Sequence, residues 1–354
     1  MSDPLISVIM SVYNTKEEWL RQAISSVLRQ TLTNFEFIII TDNPSDNSVN
    51  VIEEYANEDR RIRLIKNTQN YGLTRNLNYG LSIAKGKYIA RMDSDDISHE
   101  DRFQIQFEYM EKNPGVSVLG AYVDAFDEHG IIGLTMNECD DNNEIERIRM
   151  LFYNAGITHS TAFIRKSFLE EKNIIYNEEL KKSQDYGLWV DILNAGGVIK
   201  ELHEILVDFR IHSNQITQKN STEQNNAVKE IVKNQLNPLV GDVSEEELKL
   251  HLSLYKYEKG IAAKEYTKYI KKLIVENNEL KIYDSQLFQQ EVNRIWTRAA
   301  IRGLIKYGAY SVLGEKYTYE ALRPSNFIYM LRYYKKMRED NKILKKYERQ
   351  LHSL

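Results

Sequence analysis

The sequence predicts an α/β fold, with helices on both faces of a Rossmann-like sheet, followed by a helical second domain. Two observations predict it. Short β-branched runs alternate with amphipathic stretches between Leu5 and Ser98, which is typical of parallel strands joined by helices. Beyond Thr222 the chain becomes rich in Lys, Glu, Leu and Tyr, which is typical of helices. For the 354 residues we therefore predict two domains, 1–218 and 219–354.

The beginning of the first domain contains the clearest strand and helix patterns. Strands are predicted at Ile6–Met10, Phe35–Ile40, Ile62–Ile65 and Tyr88–Met92. Amphipathic helices are predicted at Glu17–Arg29 and Leu73–Ala84, because each stretch carries its apolar residues on one stripe. Sheets whose strands alternate with helices in this way bind ligands beyond the carboxyl ends of the strands. We therefore expect functional residues at those ends.

The remainder of the first domain has a mixed pattern, which indicates a mixed sheet. Helices are predicted at Arg102–Lys112, Ile145–Phe152 and Tyr186–Asn194, and a strand is predicted at Val116–Ala125. The stretch Val198–Ile211 is interpreted as two strands. The polar residues 214–220 are expected to form a loop that closes the domain.

Composition narrows the partners and locations that we expect for the protein. The formal net charge is -4 and the pI is about 6.1, so nothing at the level of the whole chain favours nucleic acid as a partner. The one cysteine, Cys139, fits a reducing cytoplasm. The chain shows no signal peptide and no run of about twenty apolar residues, so we expect a soluble or peripherally attached protein.

Polar residues follow three of the predicted strands. They are Tyr13-Asn14, Asp42-Asn43 and the acidic segment Asp93–Asp96. Several carboxylates side by side repel one another unless a cation neutralises them, and oxygen ligands suit Mg²⁺ or Mn²⁺. Taken alone, the acidic segment fits equally well a solvated turn whose aspartates cap a following helix. Both interpretations stay open at this point.

Four segments together resemble glycosyltransferase family 2. They are ISVIMSVYN at Ile6–Asn14, FEFIIITDNPSD at Phe35–Asp46, NYGLTRNLNYG at Asn70–Gly80 and GKYIARMDSDD at Gly86–Asp96. The resemblance covers roughly residues 5–215 and implies the GT-A fold and inverting transfer of a sugar from a nucleotide sugar.

The resemblance implies a role for each polar residue at the strand ends. Tyr13 matches the aromatic residue that stacks on the nucleotide base, and Asp42 matches the carboxylate that accepts a hydrogen bond from the base. Arg75 matches a basic residue near the nucleotide. Asp93 is expected to touch ribose or metal, and Asp95 to ligate the metal. Considered without the resemblance, Tyr13 also fits a packed rim residue, Asp42 a turn cap and Arg75 a surface arginine.

Two later segments complete the resemblance. Asp185, in SQDYGLW, matches the general base for the acceptor hydroxyl, although Gln184 stands where many relatives have Glu. Asp185 also fits the cap of the helix that follows. His212, in FRIHSNQ, matches a histidine that completes the metal site, and histidine favours Mn²⁺ over Mg²⁺. His159 lies in another segment typical of the family and receives no role.

We therefore expect an enzyme that transfers one sugar from a UDP-sugar to a hydroxyl of a glycan or lipid-linked glycan. The family suggests a part in bacterial surface polysaccharide, such as capsule or lipopolysaccharide. The alternative is a scaffold protein that binds a nucleotide sugar without turnover. A nucleotidyltransferase is disfavoured because Ser11–Lys16 has no glycine with which to cradle a triphosphate. Processive synthases of the family carry a Gln-x-x-Arg-Trp segment, which this chain lacks.

The last residues of the chain, 323–354, are basic and aromatic. On a helix, Phe327, Met330, Leu331 and Tyr334 share one face flanked by cations, a pattern that fits peripheral contact with the inner face of the plasma membrane. A helix packed on a core, with its basic side in solvent, fits the pattern as well. A third interpretation is a homodimer interface.

Overall fold

A computed structural model describes residues 3–131, 139–212, 222–256, 261 and 263–307. The chain divides into two compact units. The first comprises Met1–Asn143 and Ala155–Val228, and the second comprises Glu144–Asn154 and Lys229–Leu354. The predicted loop at 214–220 and the predicted membrane or dimer segment at 323–354 lie outside the described residues.

The first unit is built on a sheet whose first four strands are parallel. They are β1 (Ile6–Val12), β2 (Phe35–Thr41), β3 (Ile62–Lys66) and β4 (Tyr88–Arg91), in the order β3-β2-β1-β4. The connecting helices are α1 (Glu17–Leu28), α2 (Ser48–Glu58) and α3 (Leu73–Ile83). The four predicted strands and the two predicted helices of this region are confirmed, whereas α2 has no counterpart among the predicted helices.

The core of the first unit follows from the two periodicities of these elements. In α1 the buried residues recur at helical spacing as Leu20, Ala23, Ile24 and Val27, and they pack on alternate residues of β1. The opposite face of β1 meets α3. A Cβ atom on Gly80 would lie 2.7 Å from the Ile9 side chain, so the glycine permits α3 to approach the sheet closely.

Beyond β4 the sheet is mixed, because it combines antiparallel strand pairs with a parallel pair. Its strands there are β5 (Ile97–Ser98), β6 (Val118–Asp127), β7 (Gly130–Ile131), β8 (Phe163–Arg165) and β9 (Ile199–Arg210), and the order beyond β4 is β8-β6-β9-β5, with β7 paired to β6. The interpretation of residues 198–211 as two strands is wrong. Strand β9 runs unbroken beside β6 and absorbs extra residues in register shifts on either side of Tyr122, so no turn is needed.

The other helices frame the sheet and form the second unit. In the first unit they are α4 (Arg102–Lys112), α6 (Lys166–Lys172) and α7 (Gln184–Asn194). Helix α5 (Asn143–Met150) belongs almost wholly to the second unit, which also contains α8 (Thr222–Val240) from Lys229 onwards, α9 (Glu245–Lys256), α10 (Ala263–Leu280) and α11 (Ser285–Tyr307). Within the described ranges, none of these helices has the length and apolar character required to cross a bilayer.

The segment Glu144–Asn154 makes buried polar contacts with the later helices of the second unit. Arg149 Nε lies 3.1 Å from Glu291 Oε2, and both side chains are almost fully enclosed. His251 bridges the carbonyl oxygen of Leu151, at 2.8 Å, and the Tyr269 hydroxyl, at 3.1 Å. Both contacts join the segment Glu144–Asn154 to the later helices, so this segment is an integral part of the helical unit.

Candidate functional site

The polar residues that follow β1, β2 and β4 lie at one edge of the sheet. The backbone N–H of Asp42 donates to the carbonyl oxygen of Val12 at 2.9 Å, which ties the ends of β1 and β2 together. The hydroxyls of Thr15 and Ser94 are 2.7 Å apart, which brings the acidic segment beside the loop that carries Tyr13. Tyr13 is 53% exposed, so its ring is available to stack on a ligand.

Asp42 is buried beneath this edge and is only 2% exposed. Its carboxylate accepts hydrogen bonds from Asn67 Nδ2 at 3.1 Å and from the backbone N–H groups of Tyr71 and Gly72, both at 2.8 Å. Two carboxylate oxygens can accept about four hydrogen bonds, so about one place remains for a ligand. Asp42 therefore anchors the loop before α3, whatever it contributes to base recognition.

Asp93 is half-buried and forms an ion pair with Arg91, the last residue of β4. Burial raises the pKa of Asp93, and the neighbouring Asp95 adds to the rise, whereas the charge of Arg91 opposes it. Within the described part of the chain, Nε and Nη1 of Arg91 are buried without a hydrogen-bond partner. The buried guanidinium of Arg91 therefore places a positive charge directly beside the acidic segment.

Asp95 meets His212, the second residue after β9. Asp95 Oδ2 lies 2.9 Å from His212 Nε2, although the two residues are 117 positions apart in the sequence. Adjacent ligands of an octahedral ion, each about 2.1 Å from it, lie about 3.0 Å apart, so the pair fits a divalent cation. No group of three or more His, Cys, Asp or Glu suited to a metal occurs in the ranges that the structure describes. Substrate oxygens and water would have to supply the other ligands.

Asp96 completes the acidic segment but points into the protein. It is 1% exposed and accepts a hydrogen bond from the backbone N–H of Arg210 at 2.9 Å. Burial raises its pKa well above the ordinary value, and the charges of Asp95 and Asp93 add to the rise. The interpretation of the segment as a solvated turn is therefore wrong for Asp96, which fastens the segment to β9.

Three arginines lie close to the acidic segment. Besides Arg91, the fully buried Arg102 donates to the carbonyl oxygen of Arg91 at 3.0 Å, and Arg210 Nε donates to the carbonyl oxygen of Asp95 at 2.8 Å. Burial lowers the pKa of Arg102 to about 9. The acidic segment is therefore partly neutralised by the protein itself before any cation binds.

His212 is also held by an aromatic contact. Its ring lies against the indole of Trp19 in α1, with ring centroids 4.7 Å apart. Lys16 Nζ lies 4.2 Å from the centroid of the Trp19 ring, and the guanidinium carbon of Arg210 lies 5.1 Å from it, so both cations contact the indole. Trp19 therefore orders the residues that follow β9 next to Asp95.

Arg75 lies in the first turn of α3, away from these contacts. Its side chain is 60% exposed, and its Nε is 3.0 Å from Glu178 Oε2. The structure thus places Arg75 at the surface in an ion pair, and no contact joins it to the acidic segment in the described residues. Its assignment to the nucleotide stays a prediction.

Asp185 is the second residue of α7, which begins at Gln184. The interpretation of Asp185 as the helix cap is wrong, because Ser183 occupies that position in a left-handed conformation with φ of 55°. Asp185 lies in the first turn, where the helix dipole favours the ionised carboxylate. Burial raises the pKa of Tyr176, and the charges of Asp185 and Asp93 add to the rise, so Tyr176 lies within electrostatic reach of both acids.

The buried arginines beside the acidic segment are residues of the candidate site that the sequence did not predict. Arg91 stands in the run Tyr88–Met92, which reads as an apolar strand interrupted by one charge. That charge was the available signal, because an arginine within a buried strand must find an acidic partner. Arg102 carried no such signal, since a charged residue at the start of a helix usually lies at the surface.

Comparison with known proteins gives a consistent result. The family profile described as Glycosyl transferase family 2 matches residues 7–172. An uncharacterized glycosyltransferase of Haemophilus influenzae is 35% identical over 236 residues, which cover 64% of this chain and 72% of the relative. The amylovoran biosynthesis glycosyltransferase AmsE of Erwinia amylovora is 31% identical over 216 residues, which cover 61% of this chain and 79% of the relative.

Solved structures share the fold at lower sequence identity. The crystal structure of S. aureus TarS 1-349 in complex with UDP-GlcNAc matches with a TM-score of 0.54 and 16% identity, over 86% of each chain. The chain covers 52% of a longer TarS structure, with a TM-score of 0.54 and 17% identity.

Proposed function

Because the chain belongs to glycosyltransferase family 2, and is therefore a glycosyltransferase of GT-A fold, we propose that it transfers a single sugar from a nucleoside-diphosphate sugar to a hydroxyl group, with inversion at the anomeric carbon. The observation that carries this proposal is the 2.9 Å contact of Asp95 with His212. It joins two separate segments at the edge of the sheet where ligands of this architecture bind.

The donor in this proposal is a UDP-sugar. Tyr13 would stack on the uracil, and Asp42 would accept a base N–H through its remaining lone pair while it anchors the loop at Tyr71 and Gly72. Arg75 would leave Glu178 to place its positive charge near the nucleotide. TarS has been solved with UDP-GlcNAc, which makes this compound the first donor to test.

Asp95 and His212 would hold a divalent cation, Mn²⁺ or Mg²⁺, and Asp93 would touch ribose or the same ion. When bound, the ion would neutralise the negative charge that develops on the departing diphosphate. The residues fit this group, since their ligand atoms are spaced like adjacent metal ligands. Histidine among the ligands favours Mn²⁺.

Asp185 is the proposed general base. It would take the proton from the acceptor hydroxyl while the acceptor oxygen forms a bond to the anomeric carbon. The bond from that carbon to the diphosphate oxygen would break on the opposite face and release UDP. One displacement inverts the configuration, so an α-linked donor would give a β-glycoside. The position of Asp185 in the first turn of α7 supports this role, because the helix dipole keeps the carboxylate ready to accept a proton.

We further propose a glycan or lipid-linked glycan as acceptor, in the assembly of bacterial surface polysaccharide such as capsule or lipopolysaccharide. The similarity to a glycosyltransferase of amylovoran biosynthesis supports such a role. The proposed location is the cytoplasm, at the inner face of the plasma membrane, where residues 323–354 would provide basic and aromatic contacts.

The test is Asp185→Asn against the matched control Asp191→Asn, an exposed aspartate on the same helix. UDP release from UDP-GlcNAc and other UDP-sugars is measured with Mn²⁺, with and without glycan acceptors. Loss of a general base lowers kcat by roughly 10²- to 10⁴-fold, and the KM for donor should change little. Asp191→Asn should match the wild type.

Two results would contradict the proposal. Full activity of Asp185→Asn would refute the assignment of Asp185 as general base. An α-linked product from an α-linked donor, seen by NMR, would refute the inverting mechanism.

A further inference from the structure

His159 occupies a short 3₁₀ turn, His159–Thr161, that leads into β8. Its Nε2 lies 2.8 Å from the hydroxyl of Tyr176. Its ring also meets the edge of Trp189, with centroids 6.1 Å apart. Tyr176 and Trp189 are both buried. No step of the proposed reaction uses these three side chains.

The two partners of His159 stand on either side of Asp185 in the sequence. Tyr176 precedes Asp185, and Trp189 follows it by one turn of α7. Residues four apart in a helix project from the same face, so Trp189 and Asp185 share one face of α7. His159 therefore contacts both the stretch that leads into α7 and the face of α7 that carries Asp185.

The stretch before α7 has no regular secondary structure between Lys172 and Gln184, and side chains of α3 help to hold it. Asn78 of α3 accepts from the backbone N–H of Tyr176 and donates to its carbonyl oxygen, both at 2.9 Å. Thr74 Oγ1 donates to the carbonyl oxygen of Leu180 at 2.9 Å. These contacts fix the backbone, whereas the contact with His159 fixes the Tyr176 side chain.

The charge states of the pair suit a positioning role. Burial lowers the pKa of His159 well below its ordinary value, and the charge of Arg91 adds to this effect. Burial raises the pKa of Tyr176. Both side chains are therefore neutral near pH 7, and their hydrogen bond adds no charge beside Asp185.

We propose that His159 is a positioning residue, which holds Tyr176 and Trp189 and thereby fixes the first turn of α7 with Asp185 aligned for the acceptor hydroxyl. The inference rests on the proposed function of Asp185 as general base. It assigns His159 an effect on the chemical step and none on donor binding. A catalytic group displaced by about 1 Å can lose on the order of 10²-fold in rate.

Three variants separate the contacts of His159. His159→Ala removes the hydrogen bond and the ring contact, His159→Gln keeps a polar group able to reach Tyr176, and Tyr176→Phe removes the hydrogen bond alone. The matched controls are His129→Ala and Tyr79→Phe, which change exposed residues outside the site. Initial rates of UDP release from UDP-GlcNAc with Mn²⁺ are measured, together with binding of UDP and thermal unfolding.

For His159→Ala we expect kcat to fall about 10- to 100-fold, with donor KM and UDP affinity within twofold of the wild type. Tyr176→Phe should lose about threefold to tenfold in kcat, since the hydrogen bond that fixes the Tyr176 side chain is removed while the ring contact of His159 with Trp189 stays. His159→Gln should recover part of the loss. Unchanged kcat in both His159→Ala and Tyr176→Phe would overturn the inference, and so would a higher donor KM at unchanged kcat.

A double variant distinguishes this inference from the proposed function itself. If His159 acts through Asp185, adding His159→Ala to Asp185→Asn should cause no further loss of kcat, whereas independent effects would multiply and contradict the inference. Full activity of Asp185→Asn would refute the general base, whatever the His159 variants do. An inactive Asp185→Asn beside a fully active His159→Ala would refute the positioning role alone.

Discussion

Replacing Asp42 with Asn separates two roles that this residue can play. The carboxylate accepts three hydrogen bonds in a site that is 2% exposed, from Asn67, Tyr71 and Gly72. An asparagine keeps one acceptor oxygen and places an NH₂ group where the second oxygen was. In its best orientation it keeps the two bonds to Oδ1 and sets a donor against the N–H of Gly72. We therefore expect Asp42→Asn to loosen the loop before α3.

The magnitude follows from these contacts. A hydrogen bond to a charged group contributes about 1.5–3 kcal/mol, and the two remaining bonds lose their charge assistance. The free energy of unfolding should therefore fall by about 2–4 kcal/mol, which corresponds to a Tm lower by roughly 5–15 °C. The affinity for UDP should fall as well, because the loop that bears Tyr71 loses its anchor.

Urea unfolding and UDP titration of Asp42→Asn, beside the wild type, provide the measurement. The matched control is Asp46→Asn. Asp46 lies in the loop after β2, as Asp42 does, but it is exposed, and it accepts a hydrogen bond from the backbone N–H of Ser48 at 3.0 Å. A loss of UDP affinity with a change in unfolding free energy below about 0.5 kcal/mol would refute the anchor. It would mean that Asp42 acts only by touching the base.

Further predictions concern metal, charge and pH. His212→Asn should weaken Mn²⁺ by about 10- to 100-fold in EPR titrations, with remote His203→Asn as control, and unchanged affinity would exclude His212 as a ligand. Arg91→Met removes a positive charge beside Asp93, so it should strengthen Mn²⁺ binding and weaken UDP binding, each by several-fold in calorimetry. A change of both affinities in the same direction would contradict this prediction. Burial lowers the pKa of His251 from 6.5 to about 4, so its unfolded form takes up a proton first as the pH falls. His251 therefore leaves the free energy of unfolding undiminished above pH 6.5 and lowers it by about 3 kcal/mol as the pH falls from 6.5 to 4. In urea unfolding, His251→Gln should show a weaker dependence of the unfolding free energy on pH. An equal slope in both proteins would contradict the prediction.

The parallel half of the sheet could be predicted because its signals are local. The runs at β1, β2, β3 and β4 are short, apolar and bounded by polar residues, and their order fixes which ends meet. Strand β9 could not be read correctly, because its exposed central residues imitate a turn. In the structure the bulges beside Tyr122 accommodate them.

The residues of the candidate site likewise fall into those that local patterns predict and those that depend on distant parts of the chain. Tyr13, Asp42 and the acidic segment follow strands, so topology alone places them together. The contact of Asp95 with His212 depends on the pairing of β5 with β9, which no local pattern encodes, and the family resemblance supplied it. Arg102 and the contacts of His159 depend on burial created by distant segments, so the sequence offered no sign of them.

The membership of Glu144–Asn154 in the helical unit has a consequence for synthesis. This segment leaves the ribosome well before its partners, which begin at Lys229. At about 5–20 residues per second, Ile148, Met150 and Leu151 await their buried environment for several seconds while the rest of the first unit is synthesised. The chain therefore cannot finish its domains strictly in order. A truncation after residue 218 would leave this apolar segment permanently exposed and prone to aggregate, so expression of the first unit alone requires the segment to be replaced by a short polar linker.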